Sequence, residues 1–309
     1  MTTSLPDISV IIPVFNESPN IRELYNGVIA ALETLEKTFE VVFIDDGSSD
    51  GSFEILKELW AADARLRIVK LSRNFGQTPA LYAGFANARG HIVAHLDADL
   101  QYPPREMVKL IRKLDEGYDV VQGWRENRRD PWWRRAVSKA LNIVVSRLIG
   151  TEMHDLGCGL KVFNRETVDR LNRIRHHARY LPAEYIWMGT RIAEVKVEHH
   201  RRAKGVSKYN LIKLLHLNFS LITAISNVPI RLIGASGLLF VLTGSLLGAA
   251  AITGRLITGA VSTVTAIAAL FFFLSGVQLL AAEVVCEYVG RIYAEVQDKP
   301  LFIVKEIIE

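Results

Sequence analysis

Short apolar segments alternate with longer segments of helical periodicity through the first 125 residues of this 309-residue chain. The apolar segments predict strands over residues 8–13, 40–44, 67–71, 91–96 and 119–122. The first is almost continuously apolar, as strands are in a sheet that is covered on both faces. This alternation predicts an α/β fold with a doubly wound, mainly parallel sheet.

Polar side chains follow three of these strands, at the point where each strand ends. The three clusters are Asn16-Glu17, Asp45-Asp46 and Asp97 with Asp99. Because ligands of such sheets bind beyond the carboxyl ends of the strands, the clusters predict one site at that edge. No strand–helix turn carries the glycine-rich loop of a dinucleotide-binding enzyme or a P-loop NTPase, which argues against both classes.

Asp97 and Asp99 stand two residues apart, so in an extended chain they point the same way, and Gln101 adds a third oxygen. Carboxylates at the end of a buried strand need compensation, and their hard oxygens suit Mg²⁺ or Mn²⁺. Since Mg²⁺ usually shares its shell with substrate phosphates, the pattern favours a metal–diphosphate site. For a lone Asp-x-Asp, the alternative is an acidic turn that caps the next helix.

Asp46 is better placed to accept a base N–H or to hold a ribose than to contact phosphate, but a turn residue beside Gly47 is an equal alternative. Basic side chains are concentrated in residues 124–135 and 199–208. The first segment follows a strand end on the predicted ligand side, which favours anion binding over a merely solvated surface. His199 and His200, adjacent in the second segment, are more typical of a solvated basic run than of metal ligands.

The apolar excess of the chain, in which 50% of residues are hydrophobic, lies after residue 229. Residues 232–253 and 264–285 each extend over about 33 Å as a helix, enough to cross a bilayer, and predict a transmembrane hairpin rather than a buried core hairpin. Basic residues flank the outer ends, which predicts that both termini are cytoplasmic. Residues 211–226 are amphipathic and predict helices on the membrane surface.

The remaining composition narrows the class of protein. Residues 1–7 lack a basic segment followed by an apolar core, so no signal peptide is predicted and the first domain is expected in the cytoplasm. The two cysteines, Cys158 and Cys286, fit a reducing compartment. The net charge of +4 is only mildly basic, and no nucleic-acid-binding motif accompanies it, so nucleic acid is not an expected partner.

Four motifs, at residues 11–17, 45–51, 72–76 and 97–101, together resemble glycosyltransferase family 2. With residues 202–209 and 287–301, they resemble the polyprenyl-phosphate glycosyltransferases, which include dolichol-phosphate mannose synthases and two-span bacterial undecaprenyl-phosphate glucosyl and aminoarabinosyl transferases. The resemblance implies a GT-A catalytic domain over residues 1–208, membrane-surface helices over 209–230, a transmembrane hairpin over 231–286 and a cytoplasmic tail over 287–309.

The resemblance also implies a reaction and its residues. The implied reaction transfers a sugar with inversion from a nucleotide-sugar to undecaprenyl phosphate, with a UDP-sugar as the expected donor. It is expected at the cytoplasmic leaflet of the bacterial inner membrane, for cell-envelope glycan or lipid A modification. By matched position, the residues expected to contact the nucleotide are Pro13, Phe15, Glu17, Asp46 and Asp97, and those expected to hold Mg²⁺ or Mn²⁺ are Asp99, Gln101 and Asp97. The residues expected to contact phosphate, including that of the acceptor, are Arg125, Arg134, Ser138, Arg202 and Lys208. The expected catalytic residues are Asp97, Asp99 and Lys208. We also expect a homo-oligomer.

The segment Leu156-Gly157-Cys158-Gly159-Leu160-Lys161 departs from the Ser-Gly-Phe-Arg pattern of the mannose synthases and resembles the aminoarabinose-type enzymes, which leaves the sugar open. An acceptor phosphate is already anionic and needs no strong general base, whereas cations must offset its repulsion from the donor. Two alternatives are a processive polysaccharide synthase, which usually has more spans and a Gln-x-x-Arg-Trp motif, and a non-catalytic membrane sensor of nucleotide-sugars.

Overall fold

The computed structural model describes residues 5–125, 151, 153–174, 180–200 and 299–309, together with residues 288–293 and scattered helical positions between residues 267 and 296. The chain divides into two compact units. One comprises Met1–Leu214 with Pro300–Glu309, and the other comprises Leu215–Lys299.

One mixed sheet forms the centre of the first unit. Its described strands are β1 (Ile8–Val14), β2 (Phe39–Asp45), β3 (Leu66–Leu71), β4 (Ile92–His95), β5 (Val120–Arg125), β6 (Lys161–Asn164), β7 (Ile192–Val197) and β8 (Val304–Ile308), in the order β7-β5-β6-β4-β1-β2-β3-β8. Strands β4, β1, β2 and β3 are parallel, as predicted. The sheet is nevertheless mixed, because β6 runs antiparallel between β4 and β5, and β8 runs antiparallel along β3.

Helices cover both faces of the sheet. They are α1 (Ile21–Glu33), α2 (Ser52–Ala62), α3 (Gln77–Asn87), α4 (Arg105–Leu114), α5 (Arg165–Arg173) and α6 (Leu181–Trp187). Apolar residues of α1, α2 and α4 form one core with one face of the sheet, and those of α3, α5 and α6 form a second core with the other. Because β1 lies between the two cores, Ile8 and Val10–Ile12 are completely buried, which confirms the sheet covered on both faces.

The C-terminal segment differs from the sequence prediction, which treated residues 287–309 as a separate tail. Val304–Ile308 form β8, which pairs with β3 in the sheet of the first unit. The Glu309 carboxylate also accepts hydrogen bonds from Arg67 at 2.5 Å and from Arg89 at 2.6 Å. The last ten residues therefore belong to the first unit, because backbone pairing and two ion pairs attach them to the edge of its sheet.

The predicted membrane segments fall mostly outside the part of the chain that is described. Residues 209–230 and the first predicted span, 232–253, lie wholly outside it, and the second span, 264–285, is described only at single positions. Among the described residues, no helix combines the length and the apolar character needed to cross a bilayer. The transmembrane hairpin and the surface helices stay predictions.

Candidate active site

The three polar clusters lie at neighbouring strand ends, because β4, β1 and β2 are adjacent and parallel. The loop after β1 is held by the loop after β2. The backbone N–H groups of Asn16 and Glu17 donate to the hydroxyls of Ser48 and Ser52, each at 3.1 Å. Asn16 has a left-handed φ of 55°, which asparagine tolerates better than most residues. The Asp-Gly-Ser-Ser-Asp motif thus shapes the loop that carries Phe15 and Glu17.

Asp46 is buried and its carboxylate organises the loop before α3. Its Oδ1 accepts the N–H of Phe75 at 2.7 Å, and its Oδ2 accepts the N–H of Gly76 at 2.9 Å and the side-chain amide of Asn74 at 3.0 Å. Burial raises the pKa of the Asp46 carboxyl above its ordinary value, although these N–H donors oppose that change. The structure therefore gives Asp46 a loop-holding role that neither sequence interpretation included, and its nucleoside contact stays a prediction.

Gly47 shows how closely these two loops approach one another. A β-carbon at this position would lie 2.7 Å from the backbone of Arg73 and of Asn74, and the φ of Gly47 is 71°. Both the contact and the left-handed backbone require glycine. The glycine of the second motif is therefore explained by packing against residues 73–74.

Asp97 is held from three sides. Its Oδ1 accepts the side-chain amide of Gln77 at 2.7 Å and lies 3.4 Å from Nε2 of the buried His95. On its other side the backbone of Gly159 packs so closely that an added β-carbon would lie 2.6 Å from Asp97 Cγ. Burial alone raises the pKa of the Asp97 carboxyl, but its contact with His95 and the charge of Lys161 outweigh burial and leave the pKa below its ordinary value. Asp97 is therefore an anchored, negatively charged group.

Asp99 and Gln101 occupy the turn that follows. Asp99 Oδ1 accepts the backbone N–H of Gln101 at 3.2 Å. Leu100 between them has φ 58°, a backbone conformation that a residue with a branched side chain adopts at a cost of about 1–3 kcal/mol. Strain of this kind is typical of functional turns.

A polar row across β7, β5 and β6 shapes the loop that carries Gly159. Gln122 is in register with Glu194 on one side and with Lys161 on the other. Glu194 accepts two backbone N–H groups at 3.0 and 3.2 Å, the Gln122 amide donates to the carbonyl of Asp155, and the Lys161 ammonium donates to the carbonyl of Cys158. Residues 153–160 are thus fixed against the sheet, and with them the glycine that touches Asp97.

Arg125 forms an ion pair with Asp155. Its guanidinium donates to both carboxylate oxygens of Asp155, at 2.6 and 2.7 Å, and both side chains are nearly buried. Burial alone lowers the pKa of Arg125, and the hydrogen bonds to Asp155 reverse this and raise it. The structure thus engages Arg125 with the protein, and its phosphate contact stays a prediction. The other predicted phosphate contacts, Arg134, Ser138, Arg202 and Lys208, lie outside the described residues.

His199 is not the solvated side chain that its basic segment suggested. It is 7% exposed, and its ring packs edge-on against Tyr102 with 5.5 Å between ring centroids. His200 is exposed as expected, while its backbone N–H donates to the Gln101 carbonyl at 2.8 Å. The prediction for His199 was wrong because the tyrosine after the acidic turn supplies an aromatic surface that covers the imidazole.

The described residues contain no group of three or more His, Cys, Asp or Glu side chains placed to hold a metal ion. Two carboxylates and an amide do stand together after β4, and all three offer the oxygen ligands that Mg²⁺ and Mn²⁺ take. Asp97, Asp99 and Gln101 therefore fit a metal whose shell is completed by substrate oxygens.

Sequence reasoning missed three contributors to this site, namely Gln77, Gly159 and Lys161. Gln77 directly follows the Ser-Arg-Asn-Phe-Gly motif, and the other two lie in the glycine-rich segment that was noted only as a departure from a pattern. Their positions next to recognised motifs were the available signal.

Comparison with known proteins agrees with this arrangement. The profile of glycosyl transferase family 2 matches residues 9–171. A relative from Pseudomonas paraeruginosa, described as undecaprenyl-phosphate 4-deoxy-4-formamido-L-arabinose transferase, is 39% identical over 97% of this chain and 90% of its own length. A relative from Proteus mirabilis with the same description is 36% identical over 97% of this chain and 94% of its own.

Two solved structures share the architecture. Mannosyl-3-phosphoglycerate synthase from Rubrobacter xylanophilus has a TM-score of 0.55 at 16% identity, with 75% of each chain covered. Glucosyl-3-phosphoglycerate synthase from Mycobacterium tuberculosis, crystallised with Mn²⁺, UDP and phosphoglyceric acid, has a TM-score of 0.52 at 20% identity, with 70% of this chain and 76% of that chain covered. These likenesses confirm the GT-A fold. The chain therefore belongs to glycosyl transferase family 2 and, within it, to the undecaprenyl-phosphate sugar transferases.

Proposed function

We propose that this glycosyltransferase moves a sugar, with inversion, from a UDP-sugar to undecaprenyl phosphate. The observation that carries the proposal is the pair Asp97 and Asp99 at the carboxyl edge of the sheet, beside the loops shaped by Asp46 and by the Asp-Gly-Ser-Ser-Asp motif. Nucleoside and diphosphate would then occupy adjoining parts of one site. The relatives from Pseudomonas and Proteus support the lipid acceptor.

On the donor side, the loop after β1 supplies the surface for the nucleoside. Pro13 near the end of β1 and Phe15 just after it are partly exposed and offer apolar contact, while Glu17 is nearly buried and accepts the side-chain amide of Asn20 at 2.8 Å. We assign base and ribose binding to this loop. Asp46 contributes through the position of residues 74–76.

The diphosphate side centres on the acidic turn. Transfer breaks the bond between the anomeric carbon and the diphosphate, and negative charge builds on the departing UDP. Asp99, Asp97 and Gln101 would hold Mg²⁺ or Mn²⁺, which when bound supplies Lewis-acid stabilisation of that charge. Asp97 contributes a fixed orientation, since Gln77 and Gly159 hold its two faces.

On the acceptor side, the phosphate of the lipid is the nucleophile and is anionic at neutral pH. The reaction therefore needs cations to bring two anionic substrates together more than it needs a general base. We assign this role to Arg134, Arg202 and Lys208, with Ser138 as a neutral hydrogen-bond donor to phosphate. We also place the catalytic unit at the cytoplasmic leaflet of the bacterial inner membrane. Protease access to this unit in inside-out but not right-side-out vesicles tests the placement, and light scattering of the purified protein tests the proposed homo-oligomer.

For the sugar, we propose 4-deoxy-4-formamido-L-arabinose, because relatives that match nearly the whole chain carry that description. Glucose, galacturonate and N-acetylhexosamine are the competing donors. Residues 156–161 resemble the corresponding segment of the aminoarabinose-type enzymes, and Gly159 in this segment packs directly against Asp97. This contact supports a role for the segment beside the donor sugar.

The test is a transfer assay with purified full-length protein, a short polyprenyl phosphate, Mn²⁺ and each radiolabelled UDP-sugar in turn. Label in chloroform-soluble, mild-acid-labile lipid with the formamidoarabinose donor supports the proposal. Polymeric product would indicate a processive synthase, and binding of the donor without product would indicate a sensor. The Asp99→Ala variant is the control for label that does not arise from this site.

A further inference from the structure

We propose that Gln77 is a positioning residue that orients Asp97 and links it to the loop held by Asp46. This inference rests on the proposed function, because it presupposes that the Asp97 carboxylate faces the metal and the diphosphate of the donor.

The contact itself is direct and short. Gln77 is the first residue of α3, and its Nε2 donates to Asp97 Oδ1 at 2.7 Å. A hydrogen bond from a neutral amide to a carboxylate is charge-assisted, and such bonds are stronger than those between neutral groups. The side chain of Gln77 is exposed, so it contributes little to either hydrophobic core. The hydrogen bond to Asp97 fixes the orientation of the Gln77 side chain.

Among the described residues, the other two neighbours of Asp97, His95 and Gly159, are less suited to orient its carboxylate. Nε2 of His95 lies farther from Asp97 Oδ1, at 3.4 Å. Gly159 limits movement of the carboxylate on the opposite side but has no side chain that could donate a hydrogen bond to it. Loss of the Gln77 amide would leave Oδ1 with the longer His95 contact. The carboxylate could then rotate away from the direction in which it faces a metal or the diphosphate.

The backbone joins this contact directly to the loop that Asp46 organises. Asp46 accepts the N–H groups of Phe75 and Gly76, and Gln77 follows immediately. Gly76 has φ 102°, so the chain turns sharply between the clamped loop and the helix. Any displacement of residues 74–76 when a nucleotide binds is therefore transmitted to the Asp97 carboxylate through one side chain.

Two substitutions separate this role from a general structural one. Gln77→Ala removes the donor, and Gln77→Glu keeps the shape but sets a carboxylate against a carboxylate. We expect Gln77→Ala to lower kcat about tenfold and to weaken Mn²⁺ binding in the presence of UDP by a similar factor, since hydrogen bonds to charged groups are worth about 10- to 100-fold. Gln77→Glu should lose more than Gln77→Ala in both. The KM for the lipid phosphate should not change.

The experiment uses full-length protein in nanodiscs, with Mn²⁺ binding in the presence of UDP measured by electron paramagnetic resonance, and with Tm and transfer kinetics alongside. The exposed Glu23→Ala in the first turn of α1 is the control. Wild-type kcat and Mn²⁺ affinity in Gln77→Ala would overturn the inference, and so would equal losses in both variants with a fall in Tm. If the wild type forms no lipid product, the proposed function fails, whereas the Mn²⁺–UDP measurement still decides the role of Gln77.

Discussion

Replacing Gly159 by alanine is the substitution whose effect on the site follows most directly from the geometry. The added β-carbon would lie 2.6 Å from Asp97 Cγ, closer still to its Oδ2, and 3.2 Å from Tyr102 Cε2. Carbon atoms in contact are ordinarily about 3.5–4.0 Å apart. The carboxylate or the loop must therefore move by about 1 Å, and the loop is the less able to move because Gln122, Glu194 and Lys161 hold its backbone.

A displacement of about 1 Å at a reacting group can cost about 100-fold in rate. We expect Gly159→Ala to reduce kcat by about that factor and to weaken Mn²⁺ binding. Overpacking typically costs about 1–3 kcal/mol of stability, so the variant should remain folded. Because Gly159 is not among the residues with a left-handed backbone, the effect would come from the contact with Asp97 and not from backbone strain.

The assay is transfer of radiolabelled sugar to polyprenyl phosphate, with Tm measured on the same preparation. The matched control is Gly157→Ala, two residues earlier in the same loop, where an added β-carbon would lie 3.3 Å from the Arg125 guanidinium and 3.8 Å from Asp155. A folded Gly159→Ala protein with a kcat within twofold of wild type would refute the reasoning. Equal losses in the two variants would do so as well, since the contact with Asp97 would then not be the cause.

Three further substitutions test the remaining assignments. Asp99→Ala should abolish transfer with little change in Tm, because the side chain lies in a surface turn after β4; turnover near that of wild type would exclude Asp99 as a metal ligand. Lys208→Ala should raise the KM for the lipid phosphate more than the KM for the donor, and equal increases would count against an acceptor role. Arg125→Ala should destabilise the protein by about 3–5 kcal/mol, because it removes both guanidinium hydrogen bonds from the nearly buried Asp155 carboxylate; an unchanged Tm with a raised lipid-phosphate KM would instead identify Arg125 as a phosphate contact.

Elements encoded by local pattern were predictable from the chain itself. The strands β1 to β5 follow from runs of apolar residues, and the edge at which Asn16, Asp46 and Asp97 meet follows from the rule that parallel strands end together. The acidic turn at Asp97 and Asp99 was also recognisable from local sequence, since the two carboxylates stand only two positions apart.

Tertiary structure decided which of these polar groups touch one another. The partners of Asp97 are Gln77, 20 residues earlier, and Gly159, on a loop whose place depends on the antiparallel insertion of β6 between β4 and β5. Arg125 was predicted to bind phosphate by matched position and because its basic segment follows a strand end on the ligand side. The same loop brings Asp155 against its guanidinium, which the sequence did not predict, and the phosphate contact stays a prediction.

The last strand gives the clearest contrast. The sequence of Val304–Ile308, Val-Lys-Glu-Ile-Ile, is short and does not alternate apolar and charged residues, so it does not predict a strand, and its partner β3 lies more than 230 residues earlier in the chain. Local periodicity reports the conformation of a segment, because backbone and side-chain preferences act within a few residues. Pairing across such a separation depends on which sheet edge remains open, so only the assembled sheet determines it.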